Sequence, residues 1–403
     1  MVRPGVTGSM RVLFLSTSGH LGGAERVLVD MVRATVDSGG TAGVLTVEDG
    51  PLTEAASKVG GDILPLPIPR GFGRAGESQA SLATMAAMAA SAAPLLSYSR
   101  RLTATIQSWQ PHVVHSNGIK MHVLSARAAS PPLVWHLHDY VGPRRVSRRL
   151  LRHYADRPAL IAANSEDVAR DAAQALGRND IAVLPNAVDL AHFTPAGARA
   201  DLDALAGLPP ADVVRVGLVA TYARWKGHDT FIRALAQLTP GIPIRGYIVG
   251  SPVYRSAAAQ IQTDALRSLA LSMGVSAHLG FVPFQSNPAP VYRALDIVVH
   301  ASTAPEPFGL VVAEAMACGR AVVATRLGGV AEVADDDVAS IHTAGDAQDL
   351  ARAIERCARD ERMRAALGIA ARARAEQRFS PVGFAEGLDR LHREAIRRSG
   401  VAA

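Results

Sequence analysis

The sequence predicts an α/β protein built from two doubly wound domains that face each other across a cleft. Three observations predict it. Strand-like apolar runs alternate with helix-like segments through both halves of the chain, which is the signature of parallel sheets covered by crossover helices. The clearest single unit is strand, helix, strand: Leu295-Asp296-Ile297-Val298-Val299-His300, then Pro307 to Gly319, then Ala321-Val322-Val323-Ala324-Thr325. The 403 residues, 48% of them hydrophobic, suffice for two cores, and a stretch from Thr194 to Pro210 rich in Ala, Pro, Gly and Asp reads as the hinge region between them.

The central helix repays attention first. Pro307 suits a first helical position, Phe308 to Ala317 is apolar apart from Glu314, and Gly319 can adopt the left-handed conformation that closes a helix. Such a crossover helix opens at the carboxyl edge of the sheet. The first-turn amides of Phe308, Gly309 and Leu310, with the positive end of the helix dipole, are therefore placed to receive a phosphate. Glu306 precedes this helix and Glu314 follows eight residues later, about 80° further round by the 3.6-residue period. Two carboxylates beside a phosphate site suit hydrogen bonding to sugar hydroxyls. Glu306 could equally be a solvated acid near a helix start, but Glu314 stands among Val311, Val312, Ala313, Ala315 and Met316 and needs a partner or a ligand.

This run resembles the Glu-x7-Glu signature of retaining glycosyltransferase family 4, the group 1 glycosyl transferases, whose fold is GT-B: two Rossmann-like domains facing across a cleft. The resemblance implies that Glu306 contacts hydroxyls of a donor sugar and Glu314 the ribose of its nucleotide. Residues 1–9, polar and containing Gly and Pro, read as a disordered leader; under the resemblance 10–200 is an acceptor-binding domain, 201–380 a nucleotide-sugar-binding domain, and 381–403 a C-terminal helix crossing back to the first domain.

Charge and composition narrow the alternatives. The formal net charge of +6 is modest and diffuse, compatible with phosphorylated small molecules or an anionic membrane surface and not with a nucleic-acid partner. Cys318 and Cys357 are the only cysteines, so neither a disulfide framework nor a zinc cluster is expected. The start of the sequence lacks the pattern of a signal peptide, and the apolar stretch Ala80 to Leu96 is too weak for a membrane span, so a cytoplasmic location is expected. Ser78 to Trp109 reads as one or two long helices.

In chain order, Arg11 to Ser16 is a first strand and Gly22-Gly23-Ala24-Glu25 a glycine loop opening a helix. Its spacing does not fit a dinucleotide fingerprint and no phosphate-binding lysine follows, which disfavours a dehydrogenase and a P-loop enzyme. Gly71-Phe72-Gly73-Arg74-Ala75-Gly76 has the dinucleotide spacing but follows prolines instead of a strand. The resemblance implies that Gly22 and Gly23 approach the donor diphosphate or the acceptor. Pro111 to Gly118 and Pro132 to Asp139 are further strands leading into polar turns, and alternation puts His136 and His138 on one face. His138-Asp139 is similar to the family's histidine after the central strand, which implies that His138 hydrogen-bonds the donor sugar near its transferred carbon. Pro143 to Tyr154 is a basic helix with Val146, Leu150, Leu151 and Tyr154 as an apolar stripe. It is either a solvated surface helix or a seat for an anionic acceptor or membrane face, with Arg148 and Arg149 as its contacts.

In the second half, the strand Val213 to Val219 runs into Ala220-Thr221-Tyr222-Ala223-Arg224-Trp225-Lys226-Gly227. An arginine and a lysine in a strand-to-helix loop suit a diphosphate. The loop is similar to the family's Gly-Arg…Lys-Gly element, which assigns the leaving diphosphate to Lys226; Ala220-Thr221 stands where the family has Gly-Arg, so Arg224 is the candidate for the missing charge. Val282, ending a later strand, falls where the family seats the nucleobase. Leu327-Gly328-Gly329-Val330-Ala331-Glu332 reads as a second amide cradle, and Asp335-Asp336-Asp337 as a solvated loop, not a metal site. The resemblance thus implies transfer of a sugar from a UDP- or GDP-sugar to an acceptor hydroxyl with retention, needing no metal and no cofactor beyond the sugar nucleotide. A nucleotide-sugar epimerase and a non-catalytic nucleotide-sugar binder are the alternatives, and base, sugar, acceptor and oligomeric state stay open.

Overall fold

The computed structural model describes residues 9–68, 92–128, 131–252 and 260–400. The dinucleotide-like run Gly71–Gly76 and the first part of the helix expected from Ser78 lie outside them; the remainder of that helix is Ala92–Trp109. The chain divides into two units, Met1–Ala187 with Pro381–Ala403, and Val188–Ser380.

The first unit is a seven-stranded sheet in the order β3-β2-β1-β4-β5-β6-β7. Its strands are β1 Arg11–Ser16, β2 Thr41–Thr46, β3 Asp62–Pro65, β4 Val113–Asn117, β5 Leu133–Leu137, β6 Leu160–Ala163 and β7 Ile181–Val183, every pair parallel. Parallel strands are covered on both faces, which is why β4 and β5 are buried at all five positions, the polar His115, Ser116, Asn117 and His136 included. The helices are α1 Gly23–Asp37, α2 Pro51–Lys58, α3 Ala92–Trp109, α4 Ile119–Ala128, α5 Arg145–His153 and α6 Glu166–Leu176. The strand order reverses direction between β1 and β4, the switch point at whose carboxyl side open α/β sheets leave a crevice.

The second unit is a six-stranded parallel sheet in the order β10-β9-β8-β11-β12-β13, with its switch point between β8 and β11. The strands are β8 Val214–Val219, β9 Ile244–Val249, β10 Leu279–Val282, β11 Ile297–Val299, β12 Ala321–Thr325 and β13 Ala339–His342. Eight helices accompany them among the described residues: α7 Leu202–Ala206, α8 His228–Leu235, α9 Thr263–Ser272, α10 Ala289–Ala294, α11 Leu310–Ala317, α12 Val330–Val333, α13 Ala347–Arg359 and α14 Glu361–Arg378. The last helix, α15 Pro381–Ser399, packs in the first unit, on α1 and on β4 to β6.

Two expectations change. The first domain was expected to run to residue 200, but the segment from Val188 belongs to the second unit. Arg293 donates to the carbonyl of Ala198 at 2.7 Å and to that of His192 at 3.3 Å, and Arg372 donates to that of Phe193 at 2.8 Å. Pro, Gly and Ala signal the lack of a regular element; they do not signal the lack of packing. The apolar stripe of α5 also divides. Leu151 is buried, whereas Val146 and Leu150, one turn apart, are 51% and 39% exposed among arginines.

Candidate active site

At the switch point of the second unit, β8 leads into the 3-10 turn Arg224–Lys226, which Gly227 closes at φ +72°. The amide of Thr303, beyond β11, donates to the carbonyl of Trp225 at 2.7 Å, tying the loops that follow β8 and β11. Lys226 is held from two sides. Its Nζ lies 4.1 Å from the centre of the Trp225 ring and 2.5 Å from Glu306 Oε1.

Glu306 is buried, and its other oxygen, Oε2, accepts from His300 Nε2 at 2.6 Å and from Ser302 Oγ at 3.0 Å. Burial by itself would push this carboxyl up, but the charge of Lys226 and the hydrogen bonds from His300 and Lys226 outweigh it and hold Glu306 well below the usual carboxylate range. His300 is braced in turn: Nδ1 stands 3.2 Å from Thr325 Oγ1 at the end of β12, and its carbonyl 3.1 Å from His342 Nε2 at the end of β13. With Thr325 donating to Nδ1, the ring proton falls on Nε2, where Glu306 accepts it; this tautomer is assigned from the hydrogen-bond network.

The helix itself starts later than the sequence predicts. Its first residue is Leu310, and Gly309 is the N-cap in a left-handed conformation at φ +97°, where a Cβ would meet Val330 at 2.7 Å. Glu306 is therefore not on the helix but in a bridge to Gly328. Phe308 is not a first-turn residue; its ring is buried edge-on against Phe379 with centroids 5.5 Å apart. An aromatic seeking that cover, with a glycine free to turn behind it, overrides the preference of Pro307 for a first turn. Glu314 is on the helix, is buried, and has the partner its apolar surroundings demanded: Tyr292 donates its hydroxyl to Oε2 at 2.8 Å. The expected second amide cradle is partly spent, because the Gly329 amide donates to the Glu306 carbonyl at 2.8 Å.

Arg224 is exposed at the start of the 3-10 turn, two residues from Lys226, and Val282 is the fully buried end of β10. Asp335 is paired with Arg374, and Asp336 with Arg326, in keeping with a surface loop.

In the first unit, Gly22 caps α1, its amide donating to Glu25 Oε2 at 3.2 Å, and Gly23 is the first helical residue. His138 lies just past β5, its ring 4.2 Å from that of His136. Neither ring nitrogen of His138 has a hydrogen-bond partner among the described residues, and burial pushes it down to about 4. Behind it runs an imidazole chain: His136 Nδ1 to His115 Nε2 at 3.3 Å, and His115 Nδ1 to His392 Nε2 of α15 at 2.9 Å. Arg148 and Arg149 are exposed on α5.

Sequence reasoning singled out Glu306, Glu314 and Lys226 but missed what holds them. His300 and Ser302 were readable only as a strand end and the loop beyond it; the alternation that leaves a histidine at the carboxyl edge one strand from Lys226 was the available signal. Tyr292 and His392 come from α10 and α15, and nothing local in their sequence marks them.

Two doubly wound α/β units, each on an all-parallel sheet, make up the GT-B class of fold. Residues 209–374 match the model of the glycosyl transferases group 1 and residues 21–192 that of glycosyltransferase family 4, and the chain belongs to this family. Among its relatives are D-inositol 3-phosphate glycosyltransferases of Saccharomonospora viridis, 37% identical over 52% of this chain and 49% of that one, and of Nocardia farcinica, 33% identical over 74% and 66%. The matched segments thus span about half of the first relative's length and just under two thirds of the second's. HepE of Anabaena, whose crystal structure holds UDP, is 28% identical and superposes with a TM-score of 0.79 over 94% of this chain and 99% of that one.

Proposed function

We propose that the protein is a retaining glycosyltransferase that moves a sugar from a nucleotide diphosphate sugar to an acceptor hydroxyl without a metal ion. The observation that carries this reading is the Lys226–Glu306 pair, 2.5 Å apart, its glutamate buried and its lysine partly buried, at the switch point of the second unit. An ion pair drawn this far out of water is a poor stabiliser of a fold, since desolvation consumes most of its attraction, and its place beside a loop that can receive phosphate favours use. In this reading Lys226 leaves Glu306 for the leaving diphosphate, Glu306 turns to hydroxyls of the sugar, and Glu314 contacts the ribose. His138, neutral at physiological pH, hydrogen-bonds the sugar near its transferred carbon. The donor phosphate accepts the acceptor proton while preorganised charge stabilises the leaving group. HepE has been crystallised with UDP-glucose, which makes UDP-sugars the first donors to test; the named activity of the inositol 3-phosphate relatives makes a phosphorylated polyol the first acceptor.

Lys226→Ala and Glu306→Ala are each expected to lower turnover by about 10²- to 10³-fold with the fold intact, measured as glycosylated product by mass spectrometry. Near-wild-type turnover in both would refute the site. An isomerised nucleotide sugar with no enlarged acceptor would mark an epimerase, and nucleotide binding without turnover a binding protein. Turnover is expected to survive EDTA, because Lys226 carries the neutralising charge; its loss, restored by a divalent cation, would overturn the metal-free reading.

A further inference from the structure

We propose that His300 and Ser302 are positioning residues that divide the work of the Glu306 carboxylate: they anchor Oε2, so that Oε1 can exchange Lys226 for a hydroxyl of the donor sugar. The inference rests on the proposed function and goes beyond it by assigning the two oxygens different tasks.

The two oxygens of Glu306 are held from different elements. Oε2 is gripped at 2.6 Å by His300 and at 3.0 Å by Ser302, both from the segment that follows β11. His300 cannot easily swing, since Thr325 and His342 hold its other nitrogen and its carbonyl from two neighbouring strands. This is a rigid mount of the kind that orients a ligating side chain from behind. Oε1 instead faces Lys226, whose long flexible stem is the movable member of the cluster. A diphosphate brings more negative charge than one carboxylate and draws the ammonium away. The carboxylate is then left buried without its cation, an arrangement that is costly unless other donors satisfy it. His300 and Ser302 supply those donors on one oxygen, and a sugar hydroxyl supplies the next on the other.

A residue that merely supported the fold would affect every ligand alike. A residue that aims Glu306 affects only ligands that carry a sugar. The experiment is therefore a pair of calorimetric titrations, UDP against UDP-glucose, with GDP against GDP-mannose as the second pair if the first does not bind. In His300→Ala the affinity for the sugar nucleotide is expected to fall ten- to a hundredfold, the range of a lost hydrogen bond to a charged group, while that for the bare nucleotide changes less than about threefold. His300→Gln, which can still present an N–H to Oε2, should recover most of the loss. Ser302→Ala should shift the ratio the same way by a smaller factor, and it decides the matter if His300→Ala does not fold. An equal loss for both ligands, or a ratio unchanged in His300→Ala and Ser302→Ala, overturns the inference. Failure of the wild-type protein to bind any of the four nucleotides sinks the proposed function itself and this inference with it.

Discussion

At Gly227 the backbone passes through φ +72°, and a Cβ built there would stand 1.9 Å from the carbonyl oxygen of Ala301. Two costs are therefore superimposed: the left-handed conformation, about 1 to 2 kcal/mol for a residue with a Cβ, and a collision with backbone that has no rotamer to escape into. Gly207 separates them, since it has φ +68° and open space around its missing Cβ. Gly207→Ala is expected to lose about 1 kcal/mol, and Gly227→Ala at least about 2 kcal/mol more, read from urea unfolding midpoints. Only Gly227→Ala should weaken nucleotide binding, because the carbonyl it strikes lies one residue from His300 and the glycine adjoins Lys226. Equal losses in the two variants would show that the loop yields freely and does not fix the lysine.

Most strands of both sheets, though not β2, β3 or β13, were legible in the sequence, and the reason is physical. A strand covered on both faces is apolar through most of its length, so β1 and β12 are found with the bounds expected of them. Element ends were less legible, because they are decided by contacts distant in sequence: Phe308 seeks Phe379, and that contact moves the start of α11 to Leu310. The same holds at the candidate site, where Glu306, Glu314 and Lys226 stand in recognisable runs but His300, Ser302 and Tyr292 act only through the tertiary fold. Helix α5 shows what periodicity can resolve when it is applied strictly. Val146 and Leu150 share one face and Leu151 and Tyr154 another, so two apolar side chains stand outward beside Arg145, Arg148 and Arg149. Such a face suits an anionic surface, each arginine near it contributing about 1 kcal/mol. Co-sedimentation with vesicles rich in anionic lipid is expected to fall at least tenfold on Arg148→Glu with Arg149→Glu, with UDP affinity unchanged. Equal sedimentation of variant and wild type would leave α5 as an ordinary solvated helix. No helix among the described residues is long and apolar enough to cross a membrane.

At the scale of the molecule, the two units should respond unequally to acid. Among the described residues the first holds four buried imidazoles, His115, His122 and His136 around β4 and β5 and His392 from α15, with His138 stacked beside His136 and both its ring nitrogens shielded from solvent. Burial pushes His122 down to about 3, and His138 and His392 to about 4; His115 and His136 are held well below the ordinary histidine value, burial and then the neighbouring imidazoles being the causes. Each is neutral when folded and binds a proton when the chain unfolds below about pH 6.5, so the unfolded state carries the extra protons and stability falls as pH falls. Every such histidine contributes up to about 1.4 kcal/mol per pH unit between about 6.5 and 4. Glu25, raised by burial, opposes them with at most one proton. Among the described histidines of the second unit, only His228 and His342 are pushed in this direction, and Glu306, held low, withdraws its stability only below the usual carboxylate range near 4.5. Calorimetric scans from pH 7.5 to 4.5 are thus expected to separate into two transitions, the earlier belonging to the unit that contains β4, β5 and α15 and moving down more steeply with acid. His392→Asn should flatten that slope by about one proton, because the amide does not titrate in this window. Were stability to hold constant from pH 7 to 5, the imidazole chain would have to be charged in the folded protein. His138 could not then act as the neutral hydrogen-bonding partner that the proposed chemistry requires.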